Sequence, residues 1–197
     1  MINITSDSII TSECVSDAIL NTDYEGFRED YLVLHCLLRK HMPKRFFEVG
    51  CNMGVGTRII KNALGKESEV MSLDLPTELA HESLQHPISE GKGDSVGHRC
   101  DLPFTLLRGD SLKFDYTNSY PINGWFIDGE HDYDHPYHEA KQAIRSGAEI
   151  IVFHDSDIPC VFDAIEDAFD DELAGDTYNV YRVTDTRIAY AVKKYSE

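Results

Sequence analysis

The sequence predicts an α/β protein built on a single doubly wound, mostly parallel sheet that closes with a C-terminal antiparallel hairpin. Three observations predict it. The apolar run Phe46-Phe47-Glu48-Val49 leads directly into the glycine-rich turn Gly50 to Thr57, a strand-to-helix junction of the kind that places ligands at strand ends. Short apolar runs then alternate with helical patterns, which implies parallel strands joined by crossover helices. Finally, Ala148-Glu149-Ile150-Ile151-Val152-Phe153 is β-branched and almost wholly apolar, as expected of a central strand covered on both faces.

In chain order, residues 1–45 read as a helical cover, with Tyr31, Leu34 and Leu38 at helical spacing and Pro43 ending the pattern. A strand follows at about 45–49, a helix at about 56–65 and a strand at about 69–74, the last closing on Asp74. Residues 76–103 are irregular and polar, with Gly91, Gly93 and Gly97, and read as an insertion suited to a substrate lid. Strands at about 104–108 and 123–128 come next. Pro136 suits the first turn of a helix running to about Arg145, with Tyr137, Ala140 and Ile144 as its buried stripe and Ser146-Gly147 as its stop. Asp157 is the expected cap of a helix over about 158–169, whose acidic face (Asp163, Glu166, Asp167, then Asp170-Asp171-Glu172) reads as solvated surface. Tyr178–Val183 and Arg187–Val192, joined by Thr184-Asp185-Thr186, form the hairpin.

At 197 residues and 42% hydrophobic content the chain suits one domain over 1–197 with a substantial core. Its 35 acidic against 18 basic residues give a formal charge of −17, which repels nucleic acid and anionic lipid alike. The five cysteines lie far apart without a Cys-x-x-Cys pair, against a zinc site or disulfide framework. No apolar run approaches the roughly 20 residues of a spanning helix, and no basic-then-apolar leader opens the chain, so a cytoplasmic location is expected.

The glycines Gly50, Gly54 and Gly56 are spaced Gly-x-x-x-Gly-x-Gly, not as a dinucleotide fingerprint. Glu48 ahead of them would repel a pyrophosphate and suit a cationic ligand. These residues resemble the first motif of class I S-adenosylmethionine-dependent methyltransferases. The resemblance extends to Asp74, where that family's second acid holds the ribose hydroxyls, and to Gly109-Asp110-Ser111, where its third motif faces the adenine. It is closest to a subgroup with Asp-Gly-x-His-x-Tyr after the fourth strand and His-Asp after the fifth, here Asp128-Gly129-Glu130-His131-Asp132-Tyr133 and His154-Asp155. It implies a Rossmann-like, seven-stranded sheet, and S-adenosylmethionine held by Glu48, Gly50, Asn52, Gly54, Gly56, Thr57, Asp74, Asp110, Ser111 and Asp128. Asn52 departs from the glycine common at its position, and a lone Gly147 replaces a usual Gly-Gly pair.

Asp128 and Asp155 end strands expected to be neighbours, with His131 three residues beyond the first. An alcohol acceptor must lose its proton as methyl arrives, and histidine, with an unperturbed pKa of ~6.5, suits that task. His131 is therefore the expected general base. In similar sugar O-methyltransferases the Asp-Gly-x-His motif also supplies a magnesium ligand, which implies Asp128 as a catalytic and metal-binding residue, with Asp155 as the second ligand. An imidazole at position 154 speaks against magnesium, which prefers oxygen, so the metal question stays open, and His154 reads rather as a strand-end histidine bonded to backbone. His135 and His138 read as exposed helix residues; Tyr133 either lines the site or packs beneath the helix.

The expected activity is methyl transfer from S-adenosylmethionine to a hydroxyl of a small, sugar-like or natural-product acceptor, with no nucleic-acid or membrane partner and with a homo-oligomer left open. The alternatives are a nicotinamide-dependent oxidoreductase, disfavoured by the glycine spacing and Glu48, and a binding module that keeps the cofactor pocket without catalysis.

Overall fold

The computed structural model describes residues 1–12, 14, 27–76, 96–170, 174 and 176–194. Among the described residues, eight strands form one sheet: β1 (Ile2–Ile4), β2 (Arg45–Val49), β3 (Glu69–Asp74), β4 (Thr105–Arg108), β5 (Gly124–Ile127), β6 (Ile150–Phe153), β7 (Tyr178–Val183) and β8 (Ala189–Lys193). Their spatial order is β1-β7-β8-β6-β5-β2-β3-β4. All neighbours run parallel except β8, which is antiparallel to both β6 and β7. The expected doubly wound sheet with its terminal hairpin is therefore present, with eight strands in place of seven.

The extra strand corrects the reading of residues 1–45 as wholly helical. Ile2–Ile4 pairs with Tyr181–Val183 at the sheet edge, and Ser6–Ser8 makes one 3-10 turn. Three residues are too few to show a period of two, so only the partner strand reveals them.

Among the described residues, four helices cover the sheet: α1 (Arg28–His41), α2 (Val55–Leu64), α3 (Asp134–Arg145) and α4 (Pro159–Phe169). Alternation along the strands decides which face each covers. Phe46, Phe126, Ile150 and Val152 point to the α1/α2 side, where they pack with Leu34, Leu38, Ile59 and Ile60. Phe47, Trp125, Ile151 and Phe153 point the other way, among Ala140, Ala143, Ile165 and Phe169. Both faces are fully covered at β5 and β6, which is why those strands read as continuous apolar runs.

The helix boundaries follow local chemistry. α3 begins one residue before the His135-Pro136 start, and Asp132 accepts the His135 backbone N–H at 2.9 Å. It ends at Ser146 with Gly147 in the left-handed region (φ 73°), the conformation glycine adopts without a Cβ penalty. α4 does not use Asp157 as its cap. Its first residue is Pro159, the preceding Ile158 is the boundary residue, and no side chain caps it.

The chain leaves β2 for β3 and β4 on one side, then returns to β5 on the other. The strand order thus reverses between β2 and β5, and the carboxyl ends of those strands border the crevice where α/β sheets bind ligands. Hydrogen bonds continue past the strand ends: Gly50 N–H to Leu73 O, Gly109 N–H to Asp74 O, Asp128 N–H to Val49 O and His154 N–H to Ile127 O, at 2.9, 3.0, 2.9 and 3.0 Å. They align residues 50, 74, 109, 128 and 154 along one edge. Of the expected lid, residues 77–95 lie outside the described residues. Its end forms a turn at 96–99 that docks on the glycine loop, with Gly97 and Arg99 N–H donating to Asn52 O and Met53 O at 2.8 Å each.

Candidate active site

The glycine loop is held by close packing. A Cβ on Gly50 would lie 1.9 Å from the Asp128 carbonyl oxygen, and one on Gly54 would lie 2.8 Å from the Gly97 backbone. Both glycines have positive φ, 92° and 89°. Asn52, where similar proteins carry glycine, also adopts a left-handed conformation at φ 45°. Asparagine is among the few side chains that tolerate it, so the substitution preserves the turn. Asp74 fastens that turn from the neighbouring strand, its Oδ2 accepting the Asn52 N–H at 2.6 Å. Burial raises its pKa, against the backbone N–H groups of Asn52 and Leu75 and the charge of Arg108.

Glu48 does not point into the turn as the sequence suggests. Its carboxylate is fully buried beneath the first turn of α2 and accepts both the Thr57 and Ser72 hydroxyls at 2.5 Å. Its other oxygen has no hydrogen-bond partner among the described residues and sits where a Cβ on Gly56 would meet it at 2.8 Å. Burial pushes its pKa to about 8 despite the two hydroxyls. At neutral pH it is largely protonated, so Glu48, Thr57 and Gly56 work as one fastener between β2, β3 and α2, and the negative charge at the crevice comes from other acids.

Asp110 and Ser111 follow β4. The Asp110 carboxylate caps its own turn, accepting from Leu112 N–H at 3.0 Å and Lys113 Nζ at 2.7 Å. Ser111 is buried, and its carbonyl accepts the Tyr116 hydroxyl at 3.1 Å. Facing Gly129 from α3 is Glu139, fully buried, with neither carboxylate oxygen in a well-aligned hydrogen bond among the described residues. Burial lifts its pKa to about 7, with the Ser111 hydroxyl opposing.

Beyond β5 and β6 a second cluster assembles. Asp128, His131 and Asp155 each bring one donor atom within 4.8 Å of the others. His131 Nε2 lies 2.9 Å from Asp155 Oδ2 and 3.9 Å from Asp128 Oδ1. His154 joins them, its Nδ1 3.3 Å from Asp128 Oδ1 and 3.0 Å from Asp155 Oδ2. None of these contacts has hydrogen-bond alignment, and His131 Nε2 and His154 Nδ1 are both buried without a hydrogen-bond partner among the described residues. Asp155 itself is held in the left-handed region at φ 52°, a costly conformation for a non-glycine residue.

The electrostatics follow from this crowding. Asp128 and Asp155 beside His131 outweigh its partial burial and raise its pKa to about 10. The sequence expectation of a largely neutral His131 near pH 7 therefore fails for the protein without a bound cation. Burial works against a charge on His154, but Asp128, Asp155 and Asp30 together lift it to about 12. In the carboxylates burial is likewise overcome: His154 and His131 hold Asp128 below its usual range, and His131 and His154 do the same to Asp155.

Two residues of this cluster have no place in the sequence motifs. Asp30, at the start of α1, is 5% exposed and accepts His154 Nε2–H at 3.2 Å and Arg187 N–H at 3.0 Å. Arg187, between β7 and β8, donates through Nη1 to Asp155 Oδ1 at 3.2 Å. A signal for Asp30 does exist: it stands four residues before Leu34 on the apolar stripe of α1, where an acid needs a partner. Nothing local marks Arg187. The bond to Asp30 also corrects the reading of His154 as bonded to backbone through its ring. Tyr133 packs away from the crevice, its hydroxyl donating to Asp167 on α4 at 2.7 Å. His135 pairs with Asp132 at 2.9 Å and His138 lies by Gln142, so neither joins the cluster.

The donor set suits a dication: two carboxylates converge with buried imidazole nitrogens that lack partners, and a positive charge among them would satisfy all of them. Asp128 and Asp155 are the residues that would hold it.

No family model matches the chain, and no curated protein matches it in sequence. Solved structures do match. The SAH-bound methyltransferase PaMTH1 of Podospora anserina superposes with a TM-score of 0.59 at 14% identity, covering 92% of this chain and 89% of that one. The O-methyltransferase TomG from Streptomyces achromogenes, involved in tomaymycin synthesis and solved with SAM, gives 0.55 at 16% identity, covering 96% and 94%. An O-methyltransferase from Bacillus cereus in complex with SAH gives 0.51 at 15% identity, covering 96% and 86%. The chain thus has the fold of class I S-adenosylmethionine-dependent methyltransferases and resembles the O-methyltransferases among them. Among the described residues, no helix is long and apolar enough to cross a membrane.

Proposed function

We propose that the protein transfers a methyl group from S-adenosylmethionine to a hydroxyl of a small-molecule acceptor. One observation carries the reading: on a methyltransferase fold, the glycine loop and Asp74 at one side of the crevice and the Asp128-His131-Asp155 cluster at the other meet where the strand order reverses. When bound, S-adenosylmethionine supplies an electrophilic methyl group on a sulfonium, whose bond electrons return to sulfur as the methyl leaves.

The protein's residues supply position and proton transfer. The left-handed turn at Asn52 and Gly54 exposes backbone for close approach, and Asp74 is positioned to accept ribose hydroxyls. His131 accepts the acceptor's hydroxyl proton as the new carbon–oxygen bond forms. Its side chain is 19% exposed, against 6% for His154, so it is the more accessible imidazole of the two. A dication on Asp128 and Asp155 would polarise the acceptor oxygen and, by neutralising both carboxylates, favour the neutral form of His131. The charge of −17 matches a neutral or cationic small acceptor in place of nucleic acid.

The test is a calorimetric titration with S-adenosylmethionine combined with detection of S-adenosylhomocysteine over a panel of hydroxylated small molecules. His131→Ala should cut turnover by roughly 10²–10⁴-fold while leaving cofactor affinity within a few-fold. Full activity in that variant removes it as the base, and absence of cofactor binding overturns the reading as a whole.

A further inference from the structure

His154 is a buried member of the cluster, and its two ring nitrogens have different fates. Nε2 meets Asp30 Oδ2 at 3.2 Å, while the other Asp30 oxygen is taken by the Arg187 N–H at 3.0 Å. A carboxylate oxygen facing Nε2 accepts from it, so Nε2 keeps its proton whatever Nδ1 binds. Nδ1 is left facing Asp128 Oδ1 and Asp155 Oδ2 at 3.3 and 3.0 Å without a hydrogen bond. Asp155 is fixed in this orientation because its other oxygen is held by Arg187 Nη1 at 3.2 Å.

Three donor atoms thus converge, Asp128 Oδ1, Asp155 Oδ2 and His154 Nδ1, and the last two are secured from behind. A buried ring nitrogen facing two carboxylate oxygens needs a positive charge between them, a proton in the metal-free protein and a dication in its place. The 3.0 and 3.3 Å separations match the spacing of about 3 Å between adjacent ligands of one ion with bonds near 2.0–2.2 Å. Magnesium favours an all-oxygen shell, whereas a mixed carboxylate and imidazole set suits first-row transition ions. A carboxylate behind a ligating histidine, as Asp30 is, fixes the tautomer and strengthens the ligand.

We infer that Asp128, Asp155 and His154 bind a first-row transition-metal dication in preference to magnesium, with Asp30 as the positioning residue that aims His154 at it. The inference names the metal class of the same site as the proposed reaction and rests on that reading only in leaving His131 outside the ligand set, as base.

The experiment uses the full chain stripped of metal and titrated with Mn²⁺ and Mg²⁺ by calorimetry, with pulsed electron paramagnetic resonance of bound Mn²⁺ reading nitrogen coupling. Wild type should bind Mn²⁺ at least about tenfold more tightly than Mg²⁺ and show coupling to one imidazole nitrogen. His154→Asp should erase the nitrogen coupling and narrow the Mn²⁺ to Mg²⁺ ratio, since the new ligand is an oxygen. Asp30→Asn should weaken Mn²⁺ by roughly 10–100-fold. His131→Ala should keep both the coupling and an affinity within about threefold, the change expected of a residue that is not a ligand. Circular dichroism verifies folding; should His154→Asp fail to fold, Asp30→Asn and His131→Ala carry the comparison. Coupling that vanishes in His131→Ala, equal affinities for the two ions in wild type, or no Mn²⁺ binding by the folded protein would each overturn the inference. No readout here uses methyl transfer or S-adenosylmethionine, so failure of the metal site and failure of the proposed reaction are distinguishable.

Discussion

At the scale of single residues, Asn52 and Asp74 show how one turn is both built and put to use. Asn52 takes φ 45°, and its N–H is held by Asp74 at 2.6 Å. A β-branched side chain pays heavily at that φ, so Asn52→Val should lower stability by about 1–2 kcal/mol, whereas Asn52→Gly should be neutral within about 0.5 kcal/mol. Urea unfolding of the two variants checks this, and equal stabilities would remove the left-handed conformation as the reason. Asp74→Ala removes both the tether on the loop and the proposed ribose acceptor. Calorimetry should show S-adenosylmethionine affinity falling by roughly 10–100-fold, the loss of a charged hydrogen bond of about 1.5–3 kcal/mol. Unchanged affinity would refute the ribose role.

At the scale of elements, the site depends on α1 being seated against the end of β6. Phe27 and Tyr31 flank the His154 ring, with centroids 5.7 and 6.4 Å away, and Arg187 lies 4.8 Å over the Phe27 ring. Helix α2 is fixed at its other end: Gly54 has φ 89° and backs directly onto Gly97. Gly54→Ala should therefore cost about 1–3 kcal/mol in unfolding experiments and loosen the turn at 96–99 together with the glycine loop; a stability equal to wild type would show that the two segments are not packed as described. The same elements explain what could be read beforehand. Phe46 to Thr57, Asp74, the Asp128-to-His131 run and His154-Asp155 are local patterns, set by period and turn chemistry, and they fall at the strand ends expected of them. The side-chain partners are not local. Asp30 meets His154 across 124 residues, and Arg187 meets Asp30 across 157. Glu48 was legible as an acid at a strand end, but its direction was not: alternation along β2 turns it to the α2 side with Phe46, where only Thr57 and Ser72 from other elements can satisfy it. Ile2–Ile4 is a strand only because β7 offers an open edge.

For the whole molecule, stability balances surface repulsion against two acids that folding buries, and these respond to different variables. A formal charge of −17 opposes the compact state through exposed groups, which salt screens over about 8 Å at physiological ionic strength. Burial raises Glu48 from 4.5 to about 8 and Glu139 from 4.5 to about 7. Between those limits the folded protein holds protons that the unfolded chain has released. The contribution is thus fully present below about pH 4.5, declines as pH rises, and is exhausted once pH passes the folded values. Glu48→Gln keeps an acceptor for Thr57 and Ser72 and removes the titration. Relative to wild type it should gain stability by roughly 2 kcal/mol or more on going from pH 5 to pH 8, since each pH unit within the window is worth up to about 1.4 kcal/mol. Urea unfolding at several pH values, each at low and high sodium chloride, separates the two effects. Salt should raise the midpoints of wild type and variant together, because the carboxylate of Glu48 lies beyond the reach of screening ions. The gap between the two proteins should follow pH alone. A gap independent of pH would mean that Glu48 is ionised in the folded state, and a gap that closes with salt would place its charge at the surface.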